Sequence, residues 1–320
     1  GYLVLKLRVE ITHFDVHDIF LLTASIFSRT PSLSPKQRLS CFLRQRDTSL
    51  RLSIINHKRN TMSEFPLPNV STDLNGQVAF VTGTTSGLGK RFAKVLAACG
   101  AKVVATGRRV DRLEALAEEI RADGGICEPI AIDMTSRDSI RAALVEAEAR
   151  LGTIQILINN AGIPDAERAI KMSDELTDAV FDTNLIGPWV LSCEVARRLI
   201  EQKIPGRIVN IASVAAFNIS GAIATTLYST TKSAVVRMTE SHAVEWARNH
   251  INVNCIAPGA FSSEMMDGML SRVGDISQGF PRRRICDPAQ MDSTLLFLVS
   301  PASECVTGAV IKIDDGQGPR

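Results

Sequence analysis

Tyr228 and Lys232 stand four residues apart in Tyr228-Ser229-Thr230-Thr231-Lys232. That spacing puts two side chains on one face of a helix. A free phenol titrates at about 10 and is a poor acid-base group at neutral pH. An ammonium beside it favours the phenolate and draws the phenol toward the range in which general acids and bases work. Alone, the pair is also an ordinary exposed helix contact, so its weight comes from what surrounds it. Tyr228 is the only tyrosine after Tyr2, so no other phenol in the body of the chain can replace it.

A second constellation lies upstream. The run Gln77-Val78-Ala79-Phe80-Val81-Thr82 is short and apolar, as in a buried parallel strand. The glycine turn Gly83-Thr84-Thr85-Ser86-Gly87-Leu88-Gly89 follows, and Lys90 to Cys99 has helical periodicity. Strand, glycine turn and helix together make a dinucleotide site: glycines let a phosphate approach the backbone, and helix N-terminal amides supply positive potential. A second strand, Ala101 to Thr106, closes a βαβ unit and leads into Gly107-Arg108-Arg109. A site for NAD usually places an acid here for the ribose 2′-hydroxyl, whereas a guanidinium suits a 2′-phosphate. Neither residue after the strand is acidic, so Arg108 points to NADP(H), with NAD(H) as the alternative. The plainer role for Arg108 and Arg109 is to open the next helix, Val110 to Ala122, as solvated charges.

The elements that position these residues continue in alternation. Pro129 to Asp133 reads as a third strand, and a helix capped by Thr135 or Ser136 runs to Arg150. A fourth strand, Thr153 to Ile158, enters Asn159-Asn160-Ala161-Gly162. This alternation predicts a parallel, doubly wound α/β sheet, whose ligands collect at the carboxyl ends of its strands. Gly83, Arg108, Asp133 and Asn160 all fall at that edge.

Composition narrows the classes. The 320 residues are 45% hydrophobic and 22% charged, which describes a globular chain with ample core. No apolar run approaches the roughly 18 residues of a membrane span. The seven cysteines are odd in number, scattered, and lack a Cys-x-x-Cys pair, which argues against a disulfide framework or metal site and for a reducing, cytoplasmic setting. Residues 1–61 carry 10 Lys and Arg against 4 Asp and Glu, leaving 26 against 30 in the rest. An acidic body is not a nucleic-acid surface. The first methionine is Met62, and residues 1–61 are expected to be a disordered or non-native N-terminal extension ahead of a single domain, 62–320.

From about Leu74 to Gly316 the chain resembles the short-chain dehydrogenase/reductase family. The matching features come in order: Thr82-Gly83-x-x-x-Gly87-x-Gly89, Asp133, Asn159-Asn160-Ala161-Gly162, Asn184, Ser213, Tyr228-x-x-x-Lys232, Pro258-Gly259, and the end from Val306 through Asp314-Asp315-Gly316. The body looks most like the bacterial-type 3-oxoacyl carrier-protein reductases and their relatives. The resemblance implies a single Rossmann domain, a sheet of about seven parallel strands with helices on both faces, and a homotetramer. It also implies reversible hydride transfer between a carbonyl and a secondary alcohol.

In that family Tyr228 would give or take the proton, Lys232 would lower its pKa and bond the nicotinamide ribose, and Ser213 would polarise the substrate oxygen. Asn184 would hold a water in a proton relay to Lys232. Without the resemblance, Ser213 reads as a turn cap and Asn184 as a helix-surface amide. The cofactor contacts implied are Gly83, Thr85, Ser86, Gly87, Leu88 and Gly89 at the turn and Arg108, Asp133 and Met134 beyond it. Asn160, Ala161 and Gly162 follow the fourth strand, Pro258, Gly259, Phe261 and Ser263 come late in the chain, and Tyr228 and Lys232 complete the set. Ser86 stands where the family's NADP users often carry a basic residue, which leaves the phosphate to Arg108. Ser263 takes the place of the threonine that usually meets the nicotinamide amide.

Ser213 and Tyr228 are separated by about two residues more than is common in the family, the excess falling in Phe217–Thr226. Residues 260–284, with Met265, Met266, Met269, Leu270 and Phe280, resemble a mobile substrate lid; a core or subunit-interface stripe is the alternative. With Phe217 and Trp189 the lid suggests an apolar pocket. The helix Thr231–Asn249 is expected at a subunit interface, and His242 and His250 are read as structural. The functional alternatives are an NAD-dependent dehydrogenase on a sugar, steroid or other alcohol, and a dinucleotide-binding sensor without turnover.

Overall fold

The computed structural model describes residues 65–165, 167–218 and 224–318; the expected extension, 1–61, and part of the Phe217–Thr226 loop lie outside them. By its internal contacts the chain divides after Leu67, and Pro68–Arg320 is the unit that carries the site. Its seven strands are β1 (Val78–Thr82), β2 (Lys102–Gly107), β3 (Ile126–Ala131), β4 (Ile154–Asn159), β5 (Gly206–Ile211), β6 (Ile251–Pro258) and β7 (Val310–Ile313). They form one sheet in the order β3-β2-β1-β4-β5-β6-β7, every pair parallel.

Among the described residues eight α-helices connect them: α1 (Gly87–Ala98), α2 (Val110–Ala122), α3 (Arg137–Leu151), α4 (Asp174–Phe181), α5 (Gly187–Gln202), α6 (Thr226–Trp246), α7 (Glu264–Val273) and α8 (Asp292–Val299). Successive strand side chains face opposite sides of a sheet, and two apolar layers result. Ala79 and Val81 of β1 join Phe92 and Leu96 of α1, Leu113 and Leu116 of α2, and Leu295 and Leu298 of α8. Val78 and Phe80 join Ile140 and Leu144 of α3, Leu191 and Leu199 of α5, and Trp246 of α6. Both faces of the sheet are therefore covered, which is the Rossmann-type arrangement expected.

Two boundaries differ from the sequence expectation for physical reasons. β3 begins at Ile126 rather than Pro129, and Asp133 lies two residues past its end. The strand pairs with β2 alone, and an edge strand tolerates a proline that lacks a ladder N–H. The long helix begins at Thr226 rather than Thr231, so Tyr228 and Lys232 are both helical.

The chain order reverses direction at β1, whose neighbours are β2 on one side and β4 on the other. The carboxyl ends of β1 and β4 flank the crevice that such a switch point opens to ligands.

Candidate active site

The glycine turn between β1 and α1 is fastened to the loop after β4 by hydrogen bonds that the sequence only hinted at. Asn160 donates its backbone N–H to Thr82 Oγ1 at 2.9 Å and its side-chain amide to the carbonyls of Thr82 and Gly83 at 2.9 and 3.1 Å. Ala161 N–H also donates to Thr82 Oγ1, at 3.0 Å. Thr82 is fully buried, so this hydroxyl and the Asn160 amide lock two strand ends together.

A dinucleotide fits the turn on two counts. Ser86, the N-cap of α1, makes no side-chain cap hydrogen bond, so the hydroxyl leaves the first-turn N–H groups of a long helix to an anion. The backbone is also bare where it must be. Gly87 has φ +53°, and a Cβ there would lie 2.9 Å from Ser263 Cβ; a Cβ at Gly89 would lie 2.1 Å from the Gly83 carbonyl. Gly89→Ala is expected to force the turn apart. It should lower dinucleotide affinity by at least tenfold and the melting temperature by several degrees, as for a ~1–3 kcal/mol overpacking change; a fluorescence titration and a thermal melt check this.

The residues expected to handle the proton converge at the same edge. Tyr228 and Ser213 are half-buried, and Lys232 is buried at 4% exposure. Ser213 follows β5, caps a short turn by accepting from Ala215 N–H at 3.1 Å, and lies near enough to the Tyr228 phenol to favour its ionised form. Lys232 Nζ lies 5.6 Å from the Tyr228 ring centroid and donates to the Ile211 carbonyl at 2.8 Å. The electrostatic balance differs from the simple expectation. Burial pushes the phenol above its usual range, against the Ser213 hydrogen bond, and a nearby Asp165 carboxylate raises it further. Burial also brings the Lys232 ammonium down to about 8. Desolvation thus sets the direction in which each of the two groups moves.

Asn184 is buried in a π-helical turn, Asp182–Ile186, between α4 and α5. Its side chain accepts from Ile163 N–H at 2.8 Å and donates to the Ile163 carbonyl at 2.9 Å and to Thr231 Oγ1 at 3.3 Å. The amide is therefore spent on clamping the β4 loop to α6. Gly162 lies between them: a Cβ there would sit 3.3 Å from Asn184 Oδ1 and 3.4 Å from Lys232 Nζ.

Asp165 was not singled out from the sequence. Thr225 makes no side-chain cap at the start of α6. Instead Asp165, at 2% exposure, accepts from the N–H groups of Leu227 and Tyr228 at 2.9 and 3.0 Å. A carboxylate from the β4 loop caps the helix at the residue that carries the phenol, where helix N-termini favour negative charge. The available sign was a long helix with no local cap and an acid just past Asn-Ala-Gly.

The remaining expected contacts divide. Asp133 is half-buried and accepts from Thr135 N–H and Oγ1 at 3.0 and 2.8 Å; these bonds, with the Arg108 charge, hold its carboxyl below the usual range. Arg108 is exposed. Arg109 instead reaches the turn, with Nε and Nη2 at 3.1 and 2.6 Å from Thr85 Oγ1. Leu88 packs on the first core layer, and Phe261 is buried within it. Met134 is buried in the second. Pro258 ends β6, and Gly259 lies against Asp314 and Gln317. Ser263 caps α7 by accepting from Met266 N–H at 3.2 Å and rests on Gly87, which brings α7 onto the turn.

Trp189 does not join the site. It packs on His242, with ring centroids 4.7 Å apart, and His242 stacks on Trp246 at 4.1 Å. His242 is fourteen residues beyond Tyr228 on α6, roughly 21 Å along the axis at ~1.5 Å per residue. Trp189 is thus too far from the phenol to wall its pocket. Phe217 is 40% exposed, with Lys312 over its ring at 4.5 Å. No α7 residue is fully buried, so Met266, Met269 and Leu270 are not core.

A family profile described as short chain dehydrogenase matches residues 77–273. This protein belongs to that family. The short-chain dehydrogenase is 34% identical over 245 residues to the 3-oxoacyl-(acyl-carrier-protein) reductase of Aquifex aeolicus, covering 76% of this chain and 98% of the relative. It is 35% identical over 247 residues to the 2-dehydro-3-deoxy-D-gluconate 5-dehydrogenase of Dickeya dadantii, covering 76% and 96%. A gluconate 5-dehydrogenase from Burkholderia cenocepacia, solved in complex with NADP and tartrate, superposes with a TM-score of 0.73 at 30% identity, covering 78% and 98%. The protein is an oxidoreductase with the fold of these relatives.

Proposed function

We propose that this short-chain dehydrogenase interconverts a carbonyl and a secondary alcohol with NADP(H), Tyr228 exchanging the proton. The observation that carries the reading is the convergence of Ser213, Tyr228 and Lys232 beside a glycine turn shaped for a dinucleotide. The nicotinamide, when bound, supplies or accepts the hydride at the substrate carbon. In reduction, Tyr228 gives its phenolic proton to the substrate oxygen, which Ser213 holds in position. Burial keeps the phenol protonated at neutral pH, which favours donation, and Lys232 stabilises the phenolate that remains. Asn184 fixes the loop beside Lys232, and a water relay there would return the proton. Arg109 on the turn, with Arg108 beside it, supports a 2′-phosphate; the solved relative holds NADP.

The test is a fluorescence titration with NADPH and, separately, NADH. Binding of NADPH at least tenfold tighter than NADH is expected. Preference for NADH would overturn the NADP(H) assignment, and binding of neither would overturn the reading as an enzyme.

A further inference from the structure

The first residue of α7, Glu264, reaches across the glycine turn. Its carboxylate lies 3.0 Å from Arg109 Nη1 and also takes Arg112 Nη1. Arg109 simultaneously grips Thr85 of the turn. Three separate elements are thus tied at one point: the turn after β1, the start of α2, and the lid helix. The tie falls at the carboxyl end of β2, where the adenosine ribose of a dinucleotide belongs in this fold.

We propose that Glu264 gates the α7 lid: its carboxylate holds the arginine pair that a 2′-phosphate would take, so that binding a 2′-phosphorylated dinucleotide and freeing the α7 lid are one event. The inference rests on the NADP(H) reading. Its physical basis is charge. Two guanidiniums face one carboxylate, leaving the cluster positive by one. A phosphate monoester carries about −1.5 to −2 at pH 7 and offers three acceptor oxygens, so it satisfies the pair more fully. A dinucleotide without that phosphate brings nothing that competes for the arginines, so it binds with the tie intact and α7 held. Both arginines hold the Glu264 carboxyl below its usual range, so it is ionised throughout the neutral region. All three side chains are about half exposed, and such pairs are individually weak. That suits a contact that a ligand has to break.

The test uses 2′,5′-ADP, which carries the phosphate, and 5′-ADP, which lacks it, each titrated calorimetrically into the intact protein and into Glu264→Gln. Glutamine keeps the shape and removes the charge, and an unchanged melting temperature establishes that the variant is folded. The expected result is about three- to fivefold tighter binding of 2′,5′-ADP to the variant, the scale of an exposed ion pair, with 5′-ADP unchanged. Unchanged or weaker 2′,5′-ADP binding to Glu264→Gln, while the unaltered protein still prefers NADPH, would overturn the gate and leave the cofactor reading standing. An equal tightening of both probes would also overturn it, because the effect would not depend on the phosphate. If the unaltered protein does not distinguish 2′,5′-ADP from 5′-ADP, the gate and the NADP(H) reading fall together.

Discussion

Tyr228→Phe is expected to lower kcat about 10²- to 10⁴-fold, the range for loss of a positioned general acid, while changing NADPH affinity by no more than a few-fold. The ring stays, so the packing against Lys232 and the start of α6 should survive; only the hydroxyl is removed. Among the described residues there is no second phenol, the other tyrosine being Tyr2. Steady-state rates on a carbonyl compound reduced by the unaltered protein, beside a cofactor titration, separate chemistry from binding. A variant within tenfold of the parent rate would show that the proton comes from elsewhere. The direction of turnover should also follow the phenol. Because burial raises its pKa, reduction should persist through neutral pH, whereas alcohol oxidation, which needs the phenolate, should quicken as pH rises.

Asp165 should give the second largest effect, through positioning rather than contact with the substrate. Asp165→Ala strips two N–H groups at the start of α6 of a charged acceptor, one of them on Tyr228 itself. Loss of a cap costs about 1–2 kcal/mol, and a displacement of about 1 Å at the phenol can cost about 10²-fold in rate. A fall in kcat of that order is expected, with a lowered melting temperature. Asp165→Asn discriminates between shape and charge. The amide oxygen can still accept from the helix, so stability and most of the rate should return. The carboxylate that disfavours the phenolate is gone, so the basic limb of the pH–rate profile should move to lower pH. A purely structural Asp165 would alter the melting temperature and leave that limb in place. Both variants retaining the parent rate and profile would remove Asp165 from the site.

Much of the architecture was legible in order and type because it rests on local repeats. The apolar runs at Val78–Thr82 and Ile154–Asn159 needed only burial on both faces, and Val110–Ala122 carries its own helical period. The misreadings have tertiary causes. Pro129 truncated the expected third strand because its edge position could not be known, and the Asp165 cap concealed the start of α6. Trp189 looked like a pocket wall because its composition suited one, yet α5 and α6 pack it against His242.

By itself, the sequence determined the doubly wound α/β order, the glycine turn, the edge of the sheet at which ligands collect, and the four-residue step that puts Tyr228 and Lys232 on one helix face. Each follows from spacing along a single element. Only the tertiary structure decided what surrounds the phenol and α7. Asp165 reaches Tyr228 from 63 residues away and Glu264 reaches Arg109 from 155, across separations that no local pattern encodes. Desolvation, which turns the Tyr228 pKa upward and brings the Lys232 ammonium to about 8, is likewise a property of what packs around a group, not of its neighbours in the chain.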